Sequence, residues 1–271
     1  MPKFSVLMSL YWKERPEFLR QSLDSVFGQT LRADEVVLVE DGPLTPELDA
    51  VVKDYSARYP ELKVVPLQMN VGLGRALNEG LKYCTNELVA RMDTDDVAKP
   101  DRFEIQVPFM ESRSEVAVSG SWIDEFIGST DNVVSRRATA ESPAEIREFA
   151  KSRNPLNHPS VIFRKRAVEA VGSYQHFPLF EDWYLWVRLL NKGYKLANIP
   201  EALLWFRTSA DVYKRRGGWR YAMDSARFQF TLRRMGFISL PTAVKNSLMR
   251  GVVYVMPNSI RGWIYSGLLR K

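Results

Sequence analysis

Across the first 120 residues, short apolar runs alternate with stretches whose apolar positions recur at helical spacing, and this alternation limits the fold more than any single motif does. Phe4 to Met8 reads as a buried strand. Pro16 to Phe27 reads as an amphipathic helix, with Phe18, Leu19, Leu23, Val26 and Phe27 on one face. Glu35 to Val39 is a second strand, ending at Glu40-Asp41-Gly42. Pro46 to Tyr59 is a second helix capped by Thr45. Leu62 to Leu67 is a third strand, and Arg75 to Tyr83 a third helix after the turn Asn70-Val-Gly-Leu-Gly74. Leu88 to Met92, Pro100 to Ser112 and Val116 to Gly120 continue as strand, helix and strand. This order predicts an α/β fold: a mostly parallel sheet with helices on both faces. Ligands of such sheets bind beyond the carboxyl ends of the strands. Polar groups stand at four successive ends: Ser9 and Tyr11, then Asp41, then Asn70, then Asp93 and Asp95.

After Gly120 the pattern changes. Trp122 to Ile127 and Asn132 to Arg137 read as hairpin strands around a Gly-Ser turn, and Pro143 to Lys151 as a helix. The loop Asn154-Pro-Leu-Asn-His-Pro-Ser160 feeds a strand from Val161 to Phe163. Phe180 to Leu190 has helical spacing, with Glu181 and Asp182 at its start. Lys195 to Ile199 and Leu203 to Phe206 are short strands. The chain thus divides into a body over 1–210 and an extension over 211–271. At 271 residues, 45% hydrophobic and 26% charged, it has the size and composition of a globular protein. Cys84 is the single cysteine, so an intrachain disulfide and a Cys-rich zinc site are excluded; with only His158 and His176, so is a His-rich site. No signal peptide is visible and no apolar run reaches ~18 residues. The expectation is a cytoplasmic protein.

Val89-Ala-Arg-Met-Asp-Thr-Asp-Asp96 carries the sharpest chemical signal. An apolar strand gives way to three carboxylates in four residues, Asp93, Asp95 and Asp96, before a new helical pattern at Pro100. Crowded carboxylates repel one another unless a cation sits between them, and an oxygen-only set suits Mg²⁺ or Mn²⁺. The plainer alternative is a polar turn in which Asp96 or Asp101 caps the next helix.

Read in order, Ser5 to Tyr11, Gln21 to Thr30, Val39-Glu-Asp-Gly42, Asn70 to Gly80, Met92-Asp-Thr-Asp-Asp96 and Glu181-Asp-Trp183 resemble glycosyltransferase family 2, from about Lys3 to Arg207. Each motif alone is loose; six in this order and spacing are specific. The resemblance implies a Rossmann-like GT-A fold, a nucleotide-sugar donor (usually a UDP-sugar) and inversion at the anomeric carbon. It also implies a nucleotide-binding half over 1–120 and an acceptor-binding half over 121–210. By the same resemblance Ser9 and Tyr11 belong to the donor site, and Asp41 meets the donor's base. Asn70, Gly72, Arg75 and Asn78 line the nucleotide pocket. Asp95 holds a divalent metal on the diphosphate, and Asp93 contacts the ribose or shares the metal. His158 is a further candidate ligand, and Arg207, Lys214, Arg215 and Arg216 could close over the diphosphate or form a solvated basic loop. Asp182 is the implied catalytic base, with Glu181 as the alternative. Glu40 departs from the family, which more often has Asp there, and Ser209 stands where a His is common. Plainer readings remain: a turn at Asp41-Gly42, a solvated helix face for Arg75 and Asn78, and acids that merely complement a helix N-terminus at Glu181 and Asp182.

Two other classes fit less well. A nucleotidyltransferase would share the nucleotide-binding half, but it normally carries a Gly-rich phosphate loop near the N-terminus, and Ser9-Leu-Tyr-Trp-Lys13 has no glycine. A non-catalytic nucleotide-sugar-binding protein would be expected to have lost the Asp-x-Asp or the Glu-Asp pair. The +6 net charge is unevenly placed: residues from Asp211 onward carry +10 and the rest −4. Tyr213 to Met235, Leu240 to Met256 and Ser259 to Leu269 read as apolar-basic helical segments, with Trp263 and Tyr265 among Arg261, Arg270 and Lys271. Two readings stand. Residues 240–271 lie on an anionic membrane, at the cytoplasmic face of the inner membrane, where a lipid-linked saccharide acceptor would be met; or they pack on the body. No nucleic-acid motif accompanies the charge, so no nucleic-acid partner is expected.

Overall fold

The computed structural model describes residues 3–209 and 218–256. Strands β1 (Phe4–Leu10), β2 (Glu35–Glu40), β3 (Leu62–Pro66) and β4 (Leu88–Asp93) pair in parallel in the order β3-β2-β1-β4. Helices α1 (Pro16–Phe27), α2 (Pro46–Arg58) and α3 (Leu73–Tyr83) supply the crossovers. Proline opens α1 and α2, where its missing N–H costs nothing, and Thr45 accepts the Leu48 N–H as the α2 cap.

Successive strand side chains point to opposite faces, which places two cores against one sheet. Phe4, Val6, Met8 and Leu10 of β1 pack with Val36 and Leu38 under α1 and α2, whereas Leu7, Val37, Val39 and Val89 face α3. Gly80 allows that approach: a Cβ there would stand 2.5 Å from both Leu7 Cδ1 and Val39 Cγ2.

The second half extends the same sheet: β5 (Val97–Ala98), α4 (Arg102–Glu111), β6 (Val116–Phe126), β7 (Val133–Arg137), α5 (Pro143–Phe149), a 3₁₀ turn at His158–Ser160, β8 (Ile162–Arg164), α6 (Lys165–Ala170), α7 (Glu181–Asn191) and β9 (Lys195–Arg207). The full order is β3-β2-β1-β4-β8-β6-β9-β5, with β7 beside β6. β6 and β9 are parallel, while β8, β7 and β5 enter antiparallel.

Two pairs of expected strands are each one long strand. β6 runs through Gly120, where a side chain would collide with Asn198 and Leu156. β9 runs through Pro200: the register steps from Ser121↔Ile199 to Trp122↔Ala202, so the residue without an N–H sits in a bulge. The fourth helix begins at Arg102 rather than Pro100, because Pro100 and Asp101 form a turn after β5. The Asp101 side chain makes no cap bond.

α8 (Trp219–Arg234) and α9 (Leu240–Val255) form a hairpin whose open end is tied by the Gly218 N–H to the Tyr254 carbonyl, 2.8 Å. Its inner face joins the core. Phe228 is fully buried, stacks on Phe180 at 4.7 Å and meets Trp183 at 4.8 Å. The extension is therefore packed on the body over its inner face. The segment Ser259 to Leu269 lies outside the described residues.

Candidate active site

The parallel register brings the polar strand ends to one edge. Ser9 lies opposite Val39 of β2 and Asp93 of β4. Tyr11 and Trp12 follow, both exposed at the rim.

Asp41 is buried at the end of β2 and organises the turn before α3. Its Oδ1 accepts the Val71 N–H at 2.7 Å; its Oδ2 accepts the Gly72 N–H at 3.1 Å and Asn70 Nδ2 at 3.0 Å. Gly42 and Gly72 have φ of +88° and +87°, values that other residues seldom adopt. Three of roughly four acceptor positions on a carboxylate are thus filled, leaving one on Oδ1 for a donor group. Arg75 is exposed on α3. Asn78 is not: its amide donates to the Tyr174 carbonyl at 2.6 Å and accepts the Tyr174 N–H at 2.8 Å. That side chain clamps the loop before α7 onto α3, a different task from lining the nucleotide pocket.

Asp93, Asp95 and Asp96 each place a carboxylate oxygen within 4.8 Å of the others. Burial pushes the Asp95 carboxyl up to about 7, with Asp93 and Glu14 adding repulsion. Asp96 is raised further by burial and by its two neighbours, and its Oδ2 is buried without a partner. A divalent cation would relieve both costs, so these residues fit a metal. Asp96 does not cap the next helix, as the plainer alternative would have it. It instead accepts the Arg207 N–H at 2.8 Å and belongs to the cluster.

Arg207 spans this loop. Its Nε donates to the Asp95 carbonyl at 2.8 Å and its Nη2 to Gln21 Oε1, and its guanidinium lies 3.9 Å from the Phe18 ring centroid. These contacts brace the carboxylate loop against β9 and α1. Lys214, Arg215 and Arg216 lie outside the described residues.

α7 starts over the same edge. Asp182 accepts the Trp183 N–H at 2.7 Å and Asn154 Nδ2 at 2.5 Å, and burial raises its carboxyl above the usual aspartate range. Glu181 packs against α3: a Cβ on Gly74 would lie 3.3 Å from its Cγ. His158 is placed away from the ligand cluster. Its Nε2 is 2.8 Å from the Tyr174 hydroxyl and its ring meets Trp186 edge-on, while burial holds it well below the ordinary histidine value. Among the described residues it stands outside the group of clustered carboxylates.

Sequence reasoning passed over Arg91. It is 1% exposed and ion-paired to Asp93, and its Nε and Nη1 have no partner. Its charge bears on Asp93, Asp95, Asp96, Asp182, His158 and Tyr174. Its position two residues before Asp93, on the same strand face, was the available signal. Glu14, which accepts from Thr94 Oγ1 at 3.3 Å, and Asn154 gave none.

The glycosyl transferase family 2 model matches residues 5–172. The amylovoran biosynthesis glycosyltransferase AmsE of Erwinia amylovora is 42% identical over 97% of both chains. A UDP-Gal:alpha-D-GlcNAc-diphosphoundecaprenol beta-1,3-galactosyltransferase of Escherichia coli is 37% identical over all of this chain and 98% of its own. Among solved structures, S. aureus TarS 1–349 in complex with UDP-GlcNAc superposes with a TM-score of 0.70 at 17% identity, over 98% of this chain and 76% of that one. The mannosyltransferase PcManGT of Pyrobaculum calidifontis, in complex with GDP-Man and Mn²⁺, gives 0.65 at 16% identity, over 96% and 78%. A GT-A sheet with an acidic cluster at its strand ends, matched by relatives along the whole chain, makes this protein a glycosyltransferase of family 2.

Proposed function

We propose that the protein transfers a hexosyl or N-acetylhexosaminyl group from a UDP-sugar to a lipid-linked saccharide at the cytoplasmic face of a membrane, with inversion at the anomeric carbon. The observation that carries this reading is the gathering of Asp93, Asp95 and Asp96 at the strand ends, beside the Asp41 turn and below the acids of α7. The whole-length relative named for a UDP-Gal donor and a diphosphoundecaprenol acceptor supports the substrate class.

The chain's own residues divide the work. The free position on Asp41 Oδ1 accepts the uracil imide N–H. Asn70, Gly72 and exposed Arg75 border the rest of the nucleotide, with Ser9 and Tyr11 opposite. Asp95, Asp93 and Asp96 hold Mg²⁺ or Mn²⁺; when bound, it opposes negative charge on the departing diphosphate. Asp182 takes the proton of the acceptor hydroxyl as its oxygen bonds to the anomeric carbon and the bond to the diphosphate breaks. A raised carboxyl suits that task, and Asn154 aims it. Glu181 lines the donor side against Gly74.

A donor panel tests the reading. With Mn²⁺ present, UDP-Gal or UDP-GlcNAc should raise the melting temperature and GDP-Man should not, since a ligand stabilises only the state it binds. Asp95→Ala and excess EDTA should each abolish transfer, the latter reversibly. Full activity in EDTA would remove the metal from the reading, and protection by GDP-Man alone would remove UDP.

A further inference from the structure

Among the described residues, nothing covers the outer face of the α8–α9 hairpin. Leu240, Val244, Leu248 and Val252 recur every fourth residue along α9, so they form one row, with Met249 and Val255 beside it. All six are exposed: Leu248 by 66% and Val252 by 57%. The opposite face, Ala243, Asn246 and Tyr254, is buried against the body. Trp219, 70% exposed at the start of α8, borders the far end of the row beside Val252 and Val255. Such a face, as long as the helix, is an unusual feature for a chain that stays in water.

We propose that this face lies flat on an anionic lipid bilayer, with Leu248, Met249, Val252 and Trp219 entering the headgroup boundary. The bilayer is chosen over a second copy of the chain on charge. α9 carries Lys245 beside the row and no acid, while its Arg250 turns inward, donating to the Ser152 carbonyl and lying over the Trp183 ring. α8 contains Arg220, Arg227, Arg233 and Arg234 against Asp224 alone, which is already paired with Arg227. Two copies meeting through this face would bring like charges together, whereas an acidic lipid surface complements them. Among the described residues no helix is long and apolar enough to cross a membrane, which matches a helix lying in the interface. Docking here has a geometric consequence. Phe228 stacks on Phe180, directly before the α7 acids, so the hairpin ties the bilayer position to that of Asp182. An acceptor held at the headgroups would then be met at a fixed height. The choice of a bilayer rests partly on the lipid-linked acceptor proposed above, but binding is read without turnover, so the two ideas fail separately.

The test is flotation of the full chain with phosphatidylglycerol-containing vesicles and with pure phosphatidylcholine vesicles, beside sedimentation of the free protein. The wild type should float with the anionic vesicles and lose that binding at high salt. Leu248→Glu/Val252→Glu, both exposed positions, should cut the bound fraction about tenfold while leaving the melting temperature and donor binding unchanged. Lys245→Glu should weaken binding to anionic vesicles alone. The proposal is overturned if the wild type does not float at low salt or if the double variant floats equally. It is also overturned if sedimentation shows a dimer that the double variant splits, because the face is then a contact between copies.

Discussion

At Asp182 two needs oppose each other. Burial favours the neutral carboxyl, and the proton abstraction proposed for it needs the anion. The raised value moves the acidic limb of the turnover profile above the ordinary aspartate range, so activity should fall at a higher pH than an exposed aspartate would allow. The same shift sets the sign for stability. The buried acid favours the fold below its usual value, and that contribution is lost as pH rises through its folded value. Asp182→Asn should therefore lose ~10²-fold or more in turnover without melting earlier at neutral pH, while still binding donor. Normal turnover would pass the role to Glu181. The sequence made Asp93, Asp95 and Asp182 legible because each sits at the end of a periodic element. Asn154, Arg91 and the roles of Arg207 and Asn78 were not, because their partners are fixed only by tertiary structure: Arg207 meets Asp96 where β9 pairs with β5, and Asn78 of α3 meets Tyr174 in the loop before α7.

At the scale of elements, the parallel half depends on a buried acid away from the site. Glu35 opens β2 and accepts from Ser5 Oγ of β1 at 2.5 Å, from Lys63 of β3, and from the Thr85 N–H before β4 at 2.5 Å. Burial alone would raise its carboxyl, but these donors hold it down at about 2. A depressed carboxylate stabilises the fold above its unfolded value of 4.5 and ceases to do so as pH falls through about 2. Glu35→Gln should cost on the order of 2 kcal/mol at pH 7, with the difference from wild type shrinking in urea melts near pH 3. Strands β1 to β4 and helices α1 to α3 were readable because their patterns run uninterrupted for a full element. β5 was missed because two residues carry no period. β6 and β9 were split because Gly120 and Pro200 look like stops until their neighbours are seen.

At the scale of the molecule, the hairpin and the body are one folded unit. Phe228→Ala would empty a site enclosed by Phe177, Phe180 and Trp183. It should cost ~3–5 kcal/mol and lower turnover more than donor affinity, since the loosened neighbour is the start of α7; melting curves and separate kcat and KM values check both. The brace between Arg207 and the carboxylate loop has a further consequence, in the order of synthesis. Its bond to Asp96 spans 111 residues, and among the described residues β5 pairs only with β9. A chain emerging from the ribosome can complete β1 to β4 early, with Asp93 already paired to Arg91, yet the loop that carries Asp95 and Asp96 lacks its brace until Arg207 appears. A nascent or truncated product that stops short of β9 therefore leaves the Asp95–Asp96 loop unbraced, and the acidic cluster takes its final geometry only when nearly the whole body has been made.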